Sequence, residues 1–435
     1  MIKNKVNFYN EEVFYEKLDN GLEIYVIPNT KVKDVFVTFT TKYGGCNYSF
    51  KVKNKYIKVP NGIAHFLEHK MFEQEDGIDP FTFYNNSGTY SNAFTNYNNT
   101  SYVFAGNNNF KENLNYLLDF VQSPYFTDEN VNKEKGIIKE EIKMYDDMPD
   151  NIIFEKSIYN LFNKHPIKYS IAGTIDDIDN ITKEDLYNCY NTFYNPNNMF
   201  LIITGNVNPK EAIKIVKDNQ KNKKFENINI VLKKIKENDK VYKKKEIIKH
   251  NVSIPFVSYS IKIPIDNFNI DRKKLNFYLT NIFNILFDET SLFYENMKEK
   301  GLLNSSVDID NVDTESHRAF IITFRSKKYN EVIKEIDKAL ENINIDEADL
   351  NRKKKVDISN LLYIFDDISR TNRMFLNNKI MYDDIYLNIY DLIKNMNKNE
   401  LDSIIKNLNL SNKSILIIKS QNNWLFSFKN FIYKL

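Results

Sequence analysis

Residues 61–72 read NGIAHFLEHKMF and contain two histidines with a glutamate between them. The pattern of apolar residues predicts a helix over 63–72. On such a helix His65 and His69 lie one turn apart and can bind one metal ion, and Glu68 falls on the same side. This order, H-x-x-E-H, is the inverted form of the commoner H-E-x-x-H zinc-protease motif. The stretch therefore predicts a zinc site with both histidines as ligands and Glu68 as the catalytic base.

A third protein ligand is expected elsewhere, because hydrolytic zinc sites usually hold the metal with three side chains. A helix predicted from Thr127 to about Tyr145 carries two glutamates seven residues apart, Glu134 and Glu141, which project from one face. One of them could bind the metal while the other supports a ligating histidine. Two histidines and a carboxylate favour Zn²⁺ without excluding manganese or cobalt.

Composition limits the classes of partner and compartment. Lys plus Arg (60) nearly balance Asp plus Glu (58), so no basic signature for nucleic acid or an anionic membrane is present. The sequence contains no apolar run of transmembrane length and no secretory signal at its amino terminus. Cys46 and Cys189 are the only cysteines, which fits a reducing compartment. We therefore expect a cytoplasmic protein with neither a nucleic acid nor a membrane partner.

The chain is predicted to consist of two related halves. ITKEDLYNCYNTFYNPNNMFLII, from Ile181, aligns with MNKNELDSIIKNLNLSNKSILII, from Met396, at an offset of about 215 residues. We predict a catalytic zinc-binding domain over 1–217, a linker over 218–248 and a related domain without a zinc site over 249–435. The linker is rich in Lys, Asn and Glu and is interpreted as a solvated connection.

The first half mixes strands and helices. Alternating apolar residues between 21 and 45 predict a pair of strands that opens the domain. Three-and-four spacing of leucines predicts a helix over 111–122. A mixed α and β organisation is therefore expected.

HFLEHKMFE and EKGIIKEE resemble the zinc helix and the downstream E-x(6)-E pattern of the pitrilysin family of zinc peptidases, which includes insulin-degrading enzyme and the mitochondrial processing peptidase. The resemblance covers essentially the whole first half and, more weakly, the second. It implies that Glu141 is the third metal ligand and that Glu134 supports the site from behind. The sequence around these motifs is most similar to that of the short bacterial members of the family.

The stretch SGTYSNAFTNYNNTSYVF, from Ser87, resembles the family's substrate-binding edge strand. The resemblance implies that Asn92, Ala93 and Phe94 lie beside the bound peptide. The implied fold is α+β, with two homologous halves, each a mostly antiparallel sheet covered by helices, as in LuxS and processing-peptidase-like metallohydrolases.

The second half departs from the family pattern. It has no histidine at the place equivalent to the zinc helix, and Lys353 and Asn360 stand near the positions of the two glutamates. Met297 and Asn304 occupy the places of the Arg and Tyr that many members use to hold the substrate and its oxyanion. Such hydrogen-bond donors stabilise the transition state by a few kcal/mol. We therefore hypothesise a heterodimer with a homologous subunit that lacks the zinc motif and supplies both side chains.

The resemblance implies a zinc metalloendopeptidase that hydrolyses extended or unfolded peptides, acting as the catalytic subunit of that heterodimer. A noncatalytic peptide-binding or structural core subunit is the alternative, although such a protein need not keep Glu68. Metal sensing or storage is a third hypothesis, which requires neither the base nor an edge strand.

Overall fold

The computed structural model describes residues 1–5, 12–52, 54–226, 228–385 and 388–421. The chain forms two compact units, each assembled from three segments. Unit 1 comprises 1–142, 169–234 and 356–394, and unit 2 comprises 143–168, 235–355 and the residues from 395 onward. The end of the predicted C-terminal domain, 422–435, lies outside the described residues.

Strands and helices follow one another in runs along the chain. The strands are β1 (Ile2–Lys5), β2 (Glu12–Lys17), β3 (Glu23–Pro28), β4 (Val35–Thr41), β5 (Ser49–Val52), β6 (Lys55–Lys58), β7 (Tyr90–Thr95), β8 (Thr100–Gly106), β9 (Met199–Gly205), β10 (Val231–Leu232), β11 (Lys245–His250), β12 (Phe256–Pro264), β13 (Asp308–Asp313), β14 (His317–Arg325) and β15 (Lys413–Ser420).

The helices include the two that were predicted to carry His65, His69 and Glu141. They are α1 (Ile63–Lys70), α2 (Pro80–Asn86), α3 (Phe110–Phe120), α4 (Asp128–Asp146), α5 (Pro149–Leu161), α6 (Ile175–Asp179), α7 (Lys183–Phe193), α8 (Pro209–Gln220), α9 (Arg272–Phe287), α10 (Leu292–Glu299), α11 (Tyr329–Glu341), α12 (Glu347–Asp366), α13 (Ile368–Tyr382), α14 (Ile389–Asn395) and α15 (Lys398–Lys406). Among the described residues, no helix combines the length and the apolar character that crossing a bilayer requires.

Unit 1 is built on a seven-stranded sheet with the order β1-β2-β3-β9-β4-β8-β7. All neighbours in this sheet are antiparallel except β3 and β9. The apolar side chains of α1, α3, α7 and α8 join those of the sheet in one buried cluster. A smaller sheet with the order β10-β5-β6 lies in the same unit.

The two strands predicted between 21 and 45 are β3 and β4, but they do not pair with each other. Strand β9 lies between them, parallel to β3 and antiparallel to β4. Every residue of β4 is buried, as expected for a central strand covered on both faces. The prediction of a strand pair was therefore wrong, because the intervening strand comes from a distant part of the sequence.

Unit 2 repeats this arrangement on a smaller scale. Its five strands have the order β11-β15-β12-β14-β13, and only β11 and β15 run parallel. Side chains of α9, α11 and α15 pack with the sheet in a second core cluster. The predicted α+β class, with mostly antiparallel sheets covered by helices, is confirmed.

Each unit contains helical residues that the sequence places in the other half: 356–394, with α13, in unit 1 and 143–168, with α5, in unit 2. Helix α13 belongs to unit 1, where the buried Asn372 side chain donates to the Phe36 carbonyl (3.2 Å) and accepts from the Thr38 hydroxyl (2.8 Å). Helix α5 belongs to unit 2, where the Ser157 hydroxyl bonds Ser258 of β12 (2.7 Å). Both helices therefore bind their sheets through buried polar contacts.

The charged segment between the halves is not uniformly solvated. The Glu237 side chain is fully buried and accepts three backbone N–H groups, from residues 163–165, at 2.7 to 2.8 Å. Its carboxylate also pairs with the equally buried Lys262 Nζ (3.1 Å). Burial alone would raise the pKa of Glu237, but these donors outweigh it and hold the pKa at about 2. Glu237 thus anchors the segment to unit 2.

Glu237 should make stability sensitive to acid. Its folded pKa lies below the ordinary 4.5, so its contribution is present above about pH 4.5 and is lost as the pH falls toward 2. We expect Glu237→Gln to lower the free energy of unfolding by about 3 kcal/mol at neutral pH and by less than half of that near pH 3. Urea unfolding at both pH values measures this, with the exposed Glu299→Gln as the control. An equal deficit at both pH values would contradict the prediction.

Candidate active site

Helix α1 has one apolar face and one face that carries the predicted site residues. Its first residue follows Gly62, whose φ of +84° and close approach to Ala172 (2.4 Å from an added Cβ to the carbonyl oxygen) allow no larger side chain without strain. The other face carries His65, Glu68 and His69, as the spacing predicts. The apolar residues that fix the helix in the core are Ile63, Ala64, Phe66 and Leu67.

The side chains of His65, His69 and Glu141 converge. Their ligand atoms all lie within 4.8 Å of one another. The Nε2 atom of His65 is 3.8 Å from Glu141 Oε1, and that of His69 is 3.5 Å from Glu141 Oε2. These separations exceed ordinary hydrogen bonds and are close to the roughly 3.4 Å expected between ligands bound tetrahedrally to one zinc ion. The donor set therefore fits Zn²⁺.

Glu134 contacts the His69 ring on the side away from Glu141. Its Oε1 accepts a hydrogen bond from His69 Nδ1 (3.0 Å), which leaves His69 Nε2 to face Glu141. Burial alone would lower the pKa of His69, but the contact with Glu134 outweighs it and the pKa is raised. Burial alone would raise the pKa of Glu134, yet the bond from His69 lowers it. The pair fixes the orientation of the imidazole.

His65 has a different environment. Burial, followed by the neighbouring charge of His69, lowers the pKa of His65 to about 4. The ring is therefore neutral at physiological pH, which is the form that binds a metal. Its buried Nδ1 atom has no hydrogen-bond partner among the described residues. Of the two histidines, His69 is thus the one that a carboxylate orients.

Glu68 lies beside the cluster and is only 8% exposed. Burial raises the pKa of its carboxyl to about 7, against a hydrogen bond from the Thr95 hydroxyl that favours the charged form. A carboxylate with a pKa near neutrality is suited to accept and return a proton in one reaction cycle. Thr95 was not predicted as a site residue, because a single hydroxyl carries no recognisable spacing.

Asn92, Ala93 and Phe94 lie on β7, which forms an edge of the unit 1 sheet. Only β8 pairs with this strand among the described residues, so the other edge can accept an extended chain. The strand ends at Thr95, which contacts Glu68. The structure thus brings the predicted peptide-binding strand next to the predicted base.

Lys70 is a second residue that sequence reasoning missed. It follows His69 at the end of α1, and its side chain is completely buried. Its Nζ atom pairs with Glu73 and donates to the Asn130 carbonyl of α4 (3.3 Å). Lys70 therefore links the helix that carries the histidines to the helix that carries Glu141 without joining the cluster.

Comparisons with known proteins give the family. Residues 53–175 match the model described as Insulinase (Peptidase family M16), and residues 180–356 match the Peptidase M16 inactive domain. A Bacillus subtilis protein named as an uncharacterized zinc protease, YmfH, is 38% identical over 355 residues, which are 80% of this chain and 82% of that protein. This chain belongs to the pitrilysin and insulinase family, peptidase family M16.

Other M16 proteins agree with the fold. The crystal structure of an M16-like peptidase from Alicyclobacillus acidocaldarius superposes with a TM-score of 0.88 at 26% identity, covering 94% of this chain and 99% of that one. An Arabidopsis thaliana protein described as a mitochondrial-processing peptidase subunit beta is 29% identical over 164 residues, 36% of this chain and 30% of that protein. The M16 fold and its two halves thus extend over this chain.

In this M16 chain we expect Glu134→Gln to weaken zinc binding by about 10- to 100-fold, because the amide no longer accepts strongly from His69 Nδ1. Competition with a chromophoric chelator measures the affinity. The exposed Glu129→Gln, on the same helix, is the control for the lost charge and should bind zinc like wild type. Equal affinities of the two variants would show that Glu134 does not support the site.

Proposed function

We propose that this chain is a zinc metalloendopeptidase that hydrolyses extended or unfolded peptides. The observation that carries the proposal is the convergence of His65, His69 and Glu141 next to Glu68, at the end of the edge strand β7. The first three residues would hold Zn²⁺. Membership of peptidase family M16 supports a peptidase rather than a metal store. A metal store would also need neither the base Glu68 nor the edge strand β7.

Each residue has a separate part in the proposed hydrolysis. When bound, Zn²⁺ would supply Lewis-acid polarisation of the scissile carbonyl and would make water more acidic. Glu68 takes a proton from the attacking water and passes it to the leaving amine nitrogen. Thr95 holds the Glu68 carboxylate in position, and Glu134 holds the His69 ring.

The substrate class follows from β7. A peptide that pairs with this edge forms main-chain hydrogen bonds along its length, so it must be extended. Asn92, Ala93 and Phe94 would lie beside it. Folded proteins would be poor substrates because their backbone groups are already paired.

We further propose that the enzyme is the catalytic subunit of a heterodimer. Met297 is 2% exposed and packs in the core of unit 2, and Asn304 bonds Arg325 and Lys327 through its backbone N–H and its side chain. Both residues therefore serve unit 2 itself, where the family pattern would place an Arg and a Tyr. A homologous subunit without the zinc motif would supply those groups. We propose a cytoplasmic location for this assembly.

A noncatalytic peptide-binding or core subunit is the second candidate. The lack of Arg and Tyr at Met297 and Asn304 favours it, because an efficient peptidase needs oxyanion donors. The convergent cluster and the buried Glu68 favour the catalytic proposal instead, because a binding subunit would have no use for a base.

The test is cleavage of an unfolded peptide mixture from β-casein, with bound metal quantified, by the chain alone and together with any homologous subunit that co-purifies. We expect cleavage that a chelator abolishes and that zinc restores, and faster cleavage with the partner. Full activity of the isolated chain would contradict the proposed heterodimer. A zinc-loaded chain that is inert with and without a partner would support the noncatalytic candidate.

A further inference from the structure

The free edge of β7 can be assigned residue by residue from its pairing with β8. At the hairpin, the Asn96 N–H donates to the Asn99 carbonyl (2.7 Å), and Thr95 lies opposite Thr100. Hydrogen-bonded and non-bonded pairs alternate along an antiparallel ladder. The backbone groups of Ser91, Ala93 and Thr95 therefore point outward, to the edge where a peptide would pair.

The central donor of this edge is already occupied. The Ala93 N–H donates to Oδ1 of the preceding Asn92 (2.8 Å). The Nδ2 atom of Asn92 in turn donates to the hydroxyl of Tyr90 (2.7 Å). Tyr90 is 55% exposed, and Asn92 is also exposed. Asn92 thus covers the Ala93 donor, and Tyr90 holds Asn92; we call these two side chains the edge cover.

The opposite face of the same strand is directed to the catalytic groups. Thr95 bonds Glu68, and Ala93 packs against the core of unit 1. The buried Ser91 hydroxyl has no hydrogen-bond partner among the described residues. An extended peptide that reached this edge would find the Ala93 N–H already paired with Asn92.

We propose that Tyr90 is a positioning residue that acts through Asn92, holding a displaceable cover over the peptide-binding edge. This inference rests on the proposed function. In the free enzyme the cover pairs an exposed backbone donor and so protects the edge from pairing with other strands. A substrate must turn the Asn92 amide away before its own carbonyl can accept from Ala93, and the strength of the Tyr90 contact sets that cost.

Binding can be separated from catalysis in the zinc-loaded Glu68→Gln chain, with fluorescence anisotropy of a labelled β-casein peptide as the measure of Kd. In this background we expect Tyr90→Phe to tighten binding by roughly two- to tenfold, the value of one modest hydrogen bond. Tyr56→Phe is the matched control, because Tyr56 is also 55% exposed and its hydroxyl contacts one side chain, that of Ser49. It should leave the Kd unchanged.

Two further measurements show whether Tyr90 acts through Asn92. In chains that also carry Asn92→Ala, Tyr90→Phe should have no additional effect on Kd. Amide hydrogen exchange of the segment 90–95, without peptide, should be faster in Tyr90→Phe than in wild type.

Unchanged or weaker peptide binding by Tyr90→Phe overturns the proposal. The proposal also fails if Tyr90→Phe changes the Kd equally in chains with Asn92 and in chains with Asn92→Ala. If no variant binds peptide and wild type is inert, the proposed peptidase function fails. Hydrogen exchange, which needs no peptide, then decides whether Tyr90 holds the cover.

Discussion

We expect Glu68→Gln to cleave peptides about 10²- to 10⁴-fold more slowly than wild type, because the amide cannot accept the proton of the attacking water. Glutamine preserves the size of the side chain and can still accept from the Thr95 hydroxyl. Zinc content should therefore be unchanged, since Glu68 is not part of the convergent ligand set. Steady-state kcat on β-casein peptides and metal analysis of the same preparations measure both quantities.

A control for the lost charge is available near the same helix. Glu75 follows α1 and is exposed, so Glu75→Gln should retain the wild-type rate and zinc content. A Glu68→Gln chain that keeps both zinc and activity would remove Glu68 from the proposed mechanism. Loss of zinc in this variant would instead show that the carboxylate helps to hold the metal.

Glu141→Gln should weaken zinc binding at least about a hundredfold and abolish cleavage, because removal of a ligand costs more than removal of a supporting residue. The adjacent Glu140 is a close control, since it is exposed on the same helix and has the same charge. Glu140→Gln should bind zinc and cleave peptides like wild type. Chelator competition and the cleavage assay distinguish the two variants.

The opposite result would exchange the roles that we assign to Glu134 and Glu141 of α4. If Glu141→Gln kept its zinc and Glu134→Gln lost it, Glu134 would be the ligand. Seven-residue spacing alone allows either assignment. The geometry favours Glu141, because Glu134 is already engaged with Nδ1 of His69, on the far side of the ring from Glu141.

The components of the site that follow from local spacing could be predicted from the sequence. His65, Glu68 and His69 share one helix face because a helix repeats every 3.6 residues, and any such helix would bring them together. Which residue approaches them from elsewhere depends on tertiary structure. Thr95 and Lys70 carry no pattern of their own, and only the fold shows their contacts with Glu68 and Asn130.

The strand order and the exchanged helices were beyond local prediction for the same reason. Hydrophobic alternation identifies β3 and β4 as strands but does not show that β9 separates them. The composition of 218–248 suggested solvation, whereas one glutamate of that segment, Glu237, is buried against three backbone N–H groups. Compositional averages do not identify a single buried charge.

The position of α13 has a consequence for the synthesis of the protein. A ribosome releases β4 and β9 long before Asn372, the residue that bonds Phe36 and Thr38 of the sheet. Until α13 has emerged, the polar groups that it pairs must remain hydrated or be shielded by a chaperone. Unit 1, which contains His65, His69 and Glu141, therefore reaches its final form only after its last segment, 356–394, has been translated.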